Sequence, residues 1–71
     1  MKRYPIVIEH DPNGRSAYSP DLPGCVAAAT SEEELRALMT EAMEFHIEGL
    51  KLHGQPVPEP TASVDYITVE A

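Results

Sequence analysis

Residues 30–54 read TSEEELRALMTEAMEFHIEGLKLHG, and the spacing of their apolar positions decides the fold. Leu35, Leu38, Met39, Ala42, Met43, His46 and Leu50 recur at steps of three and four, the period of one helix face. Glu41, Glu44, Glu48 and Lys51 fall opposite. Thr30 with Glu33, or Ser31 with Glu34, makes a capping box, and three successive glutamates set negative charge against the positive end of the helix dipole. Gly54 suits the position just past a helix, and Pro56 blocks continuation. A helix of about 22 residues would span roughly 33 Å.

On its N-terminal side the chain reads as strands. YPIVIEH (4–10) is β-branched and runs into the turn sequence DPNG, with Ile6 and Ile8 on one face and Val7 on the other. RSAYS (15–19) returns as a second strand. In SPDLPG (19–24), two prolines and a glycine stop pairing, and Asp21 and Leu22 are expected at the sheet's rim. CVAAA (25–29) follows, with Cys25, Ala27 and Ala29 on one side, small enough for a helix to approach closely.

Beyond the helix, QPVPEPTAS (55–63) has proline at alternate positions from 56 to 60, which makes it extended and stiff. VDYITVE (64–70) alternates and reads as a last strand. The order is β-β-β-α-β, an α+β domain over residues 1–71 with one long helix on a four-stranded sheet.

Strands of about six residues span roughly 20 Å, so the helix overhangs the sheet. Phe45, Ile47, Leu50 and Leu52, in the overhanging half, are spread widely around the axis. These four are the expected self-association residues, because a chain of 71 residues has a marginal core of its own.

The composition narrows the chemistry. Twelve acidic against five basic residues give a net charge of −7, which argues against direct nucleic-acid binding, a task that needs clustered Lys and Arg. It suits a basic partner. Glu41, Glu44 and Glu48 are either a solvated face or a docking strip for Lys and Arg. No apolar run is long enough for a membrane span, and one cysteine fits a reducing cytoplasm. Cys25 lacks electropositive neighbours and reads as a buried structural thiol. His46 and His53 lie about 10 Å apart along a helix, too far to share a metal, and His10 reads as exposed. No phosphate loop, Ser-His-Asp order or metal-ligand spacing occurs. No catalytic residue, cofactor or metal site is expected.

Residues 4–35, YPIVIEHDPNGRSAYSPDLPGCVAAATSEEEL, followed by EAMEFHIEGLKLHGQPVPEP (41–60), resemble the HicB family of antitoxins. The specific parts are SPDLPGCVA, the T-S-E-E helix start, H-I-E-G-L and G-Q-P-V-P-E-P, in this order. The resemblance implies a partial RNase H-like fold with the fourth strand parallel to the first, sheet order 3-2-1-4. It implies dimers or tetramers that bind HicA, a small basic toxin that cleaves messenger RNA with a histidine, and that block its site. Many members continue into a C-terminal DNA-binding segment. With Ala71 following the last strand, the expectation here is a stand-alone domain.

The expected partner contacts are Tyr18, Asp21, Leu22, Glu41, Glu44 and Glu48. Two other readings are a homo-oligomeric regulatory domain and a residual RNase H-like nuclease with Glu9, Asp21 or Asp65 on magnesium.

Overall fold

The computed structural model describes residues 1–71. Its elements are β1 (Val7–Asp11), β2 (Gly14–Tyr18), β3 (Val26–Ala29) and α1 (Glu32–Leu52). The strands form an antiparallel sheet in the order β1-β2-β3. Val7 pairs with Tyr18 and Tyr18 with Val26, so the register runs straight across all three.

Each turn follows from its residues. Asp11 Oδ1 accepts from the Asn13 amide at 2.8 Å, the side-chain bond that makes Asp a turn former. Between β2 and β3 the Cys25 amide donates to the Leu22 carbonyl at 3.2 Å. Pro23 and Gly24, at φ +90°, occupy the two central positions, the residue pair a type II turn selects.

Ser31 caps α1, its Oγ accepting from the Glu34 amide at 3.2 Å. At the far end the Gly54 amide donates to Lys51 O and the Gln55 amide to Leu50 O, with Gly54 at φ +67°. That paired arrangement satisfies two carbonyls which the helix end leaves open.

The core is small. Ala17, Leu22, Cys25, Leu35 and Met39 form it, with Tyr4, Ile6, Ile8, Ala27, Ala29, Met43 and Ile47 packed around. The alternation in β1 and β3 is as the sequence implies, Ile6, Ile8, Ala27 and Ala29 facing the helix. At 1.5 Å per residue the 21-residue helix is about 31 Å long, nearly twice a five-residue strand. Its second half therefore overhangs, leaving Phe45 and Leu52 about four-fifths exposed.

One expected element is missing. Residues 64–70 form no strand, so the sheet has three strands and the order 3-2-1-4 is not realised within this chain. The reason is that alternation prepares a segment for pairing but does not provide the neighbour. Residues 57–62 are held against the body, while 63–71 lie exposed beyond them.

Candidate functional site

The surface around the β3 edge combines an unpaired strand, apolar side chains and carboxylates. β3 has β2 on one side only, so its other edge has free main-chain donors and acceptors. On the sheet face away from the helix, Val7, Tyr18 and Val26 stand side by side in register. Tyr18 and Val26 are exposed. This row continues round the edge into a groove of about 800 Å³ between β3 and α1. Ala27, Ala42 and Leu50 line its interior, Phe45 stands 77% exposed along it, and Glu41, His46 and His53 border it. Glu48, two turns along from Glu41, continues the acidic border on the same side of α1.

The small residues of CVAAA explain the groove. Ala27 and Ala29, on the inner side of β3, let the helix come close to the strand, and the small side chains of Ala27 and Ala28 leave a trough where larger ones would stand. Cys25 is buried beside it, its Sγ 3.9 Å from the Ala42 carbonyl, and burial pushes its thiol pKa up. It is a packing residue with a thiol held protonated. Iodoacetamide should therefore leave Cys25 unmodified in the folded protein at mildly alkaline pH and modify it in denaturant. Rapid native labelling, read by mass spectrometry, would contradict this assignment.

The predicted contact residues separate. Tyr18 and Glu41 belong to the surface just described, whereas Glu44 borders a second groove on the other flank of α1, toward β1. The helix crest divides the acidic strip. The predicted self-association residues divide likewise. Phe45 and Leu50 line the β3 groove, but Ile47 lies on the β1 flank and packs against the chain's own core.

Leu22 is corrected outright. It is fully buried, because the turn at Pro23 and Gly24 folds it under the sheet, where the Ser19 Oγ accepts its amide at 3.1 Å.

Asp21 has an internal task that sequence reasoning missed. Its Oδ1 accepts from the Thr61 amide at 3.0 Å, the Thr61 hydroxyl at 2.8 Å and the Ala62 amide at 3.3 Å. Together with the Tyr4 hydroxyl donating to Pro58 O at 2.6 Å and the Lys2–Glu59 ion pair, it ties residues 57–62 to the body. The bonds from the Thr61 amide and hydroxyl lower the Asp21 pKa.

A pKa lowered in the folded state means this carboxylate favours the tied form above its unfolded pKa. The benefit is lost as pH falls through the lower folded value. Acidification from about pH 4 downwards should release the segment, seen as movement of the Thr61 and Ala62 amide resonances. Asp21→Ala should show the released positions at every pH. Resonances insensitive both to acid and to this variant would refute the tie.

Glu9, Asp21 and Asp65 do not converge, and no three His, Cys, Asp or Glu side chains are placed to hold a metal ion together. No helix is long and apolar enough to cross a membrane.

Residues 4–70 match the family described as HicB-like antitoxin of bacterial toxin-antitoxin system. The chain is 33% identical to a UPF0150 protein of Thermoplasma acidophilum, over 97% of this chain and 99% of that one. It is 36% identical, over 90% of its length, to a 14.9 kDa protein from the rep-hol intergenic region of Haemophilus phage HP1. There it spans about half of the longer protein, 48%. Among solved structures it resembles a chain of a HicA3 and HicB3 toxin-antitoxin complex, with a TM-score of 0.69 and 35% identity. That alignment covers 84% of this chain and 70% of the other.

Proposed function

Since the chain belongs to the family of HicB-like antitoxins of bacterial toxin-antitoxin systems, we propose that it captures a small basic ribonuclease toxin of the HicA type and occludes its active site. The family points to a binding role rather than an enzymatic one.

The observation that carries the choice of surface is the groove beside β3. An unpaired strand there adjoins exposed Val26 and Phe45 and the carboxylates of Glu41 and Glu48, in a chain of net charge −7. A partner strand can extend the sheet at such an edge through main-chain hydrogen bonds, with side chains seated in the adjoining groove. The carboxylates favour approach by a cationic surface and raise the association rate at low salt. Tyr18, on the row that leads into the groove, extends the contact across the sheet face.

We also infer that the chain associates with at least one further copy, in keeping with its small core.

Mixing the purified chain with a HicA-type toxin should give a stable complex and stop toxin cleavage of RNA. The association rate should fall steeply as salt rises. Undiminished RNA cleavage at low salt with the chain in excess would end this reading.

A further inference from the structure

The chain ends in a segment suited to a sheet but attached to none. Val64, Tyr66, Ile67 and Val69 are 57%, 89%, 85% and 73% exposed, although β-branched and aromatic residues of this kind favour a strand, with Val64 and Tyr66 on one face and Ile67 and Val69 on the other. Apolar surface so concentrated on a soluble chain marks an interaction site. The tail is also not loose at its root. Asp21 fixes Thr61 and Ala62 at the end of the sheet where β1 begins, since Val7 pairs with Tyr18 just before the loop that contains Asp21. From there the tail projects. The radius of gyration is 13.9 Å and the long axis 47 Å, against about 11 Å for the radius of a compact chain of this length.

A receptor of matching chemistry lies on the same molecule. β1 is an edge strand, and between its approach and α1 runs a groove of about 720 Å³ with Tyr4, Ile6, Met39, Met43, Ile47 and Val57 along it. Lys2, which pairs with Glu59, borders this groove together with Arg36 and Lys51, with Glu44 as the one acid along its lining. Three of the chain's five cationic side chains thus gather there, on an otherwise acidic protein. The tail has the complementary charge, with Asp65 and Glu70 and no Lys or Arg after residue 51.

We propose that residues 64–70 of one copy add as a fourth strand to the free β1 edge of a second copy, and that the second copy returns its own tail to the first. The exchange satisfies the β1 edge and turns one apolar pair of the tail, either Val64 with Tyr66 or Ile67 with Val69, toward the helix-covered face of the receiving sheet. It also brings the tail carboxylates near Arg36 and Lys51. Reciprocal exchange of one element is a closed, two-fold arrangement that needs no new surface. It leaves the β3 edge free, so self-association and toxin capture occupy opposite sides of the sheet. The proposal rests on the self-association reading and names its means.

The test uses the full chain. Sedimentation should show a dimer, and Tyr66→Asp with Ile67→Asp should raise its dissociation constant about 100-fold or more, given the apolar burial lost in each copy by whichever of the two faces the helix. The helix signal should persist, because the tail makes no core contact. A sample refolded from equal amounts of two differently isotope-labelled copies should give intermolecular contacts between residues 64–70 and 7–11 by nuclear Overhauser measurement. A dimer indifferent to the double variant, or tail contacts confined to one molecule, would overturn the exchange while self-association stood. A monomeric wild type would remove both and leave toxin capture to be judged on its own assay.

Discussion

Leu35→Ala should cost roughly 2–5 kcal/mol, the range for truncating a fully buried leucine. Leu35 has no exposed surface and sits at the first turns of α1, against Ala17 and Leu22 from the sheet side and Met39 from its own helix. Stability of about 0.05–0.15 kcal/mol per residue gives a chain of 71 residues roughly 4–10 kcal/mol in total. The substitution therefore removes a large share of it, and the melting transition should broaden, fall sharply or vanish. Three large side chains are fully buried, Leu22, Leu35 and Met39, so no neighbouring cluster can make good the loss. Leu52→Ala is the control. Leu52 is 83% exposed, and its truncation should change stability by no more than about 0.5 kcal/mol. Denaturant unfolding of the two variants side by side decides the matter. Similar midpoints would mean that the core lies elsewhere.

The same two leucines show what sequence alone could reveal. Leu35 was legible because it begins a helical repeat whose cap, Ser31, is marked by its own side chain, and a periodic pattern fixes which face turns inward. Local chemistry likewise announced the turns at Asp11 and at Pro23–Gly24. What stayed hidden depends on partners far along the chain. Leu22 lies in a stretch of prolines and an acid, where no period exists to say whether it points in or out. Asp21 meets Thr61 forty residues later, and nothing local to either forecasts that bond.

The fourth strand is absent from the chain's own sheet for a related reason. The β-branched and aromatic residues of 64–70 suit a strand, but nothing local to them names the neighbour it would pair with. Helical geometry explains the divided site. At 100° per residue, Phe45 and Ile47 stand about 160° apart, so they face opposite flanks although both belong to the overhanging half. A list of apolar residues merges two surfaces that the packed helix separates.

Phe45→Ala should weaken toxin capture about 30-fold or more while leaving the fold unchanged. An exposed aromatic that becomes enclosed at the centre of an interface contributes about 2 kcal/mol or more by truncation, and 1.4 kcal/mol is a tenfold change in affinity. Phe45 is 77% exposed in the isolated chain, so its removal opens no cavity in the core. Its loss should be felt in the dissociation rate, as with most interface truncations. Glu41→Lys with Glu48→Lys should act differently, lowering the association rate and flattening its dependence on salt. The two variants together separate apolar anchoring from electrostatic approach. If affinity stayed within about twofold for Phe45→Ala but collapsed for Tyr18→Ala, the toxin would sit on the outer sheet face and not in the β3 groove. The groove assignment depends on that comparison, because Val26 links both surfaces and either could accept a strand-adding partner at its border.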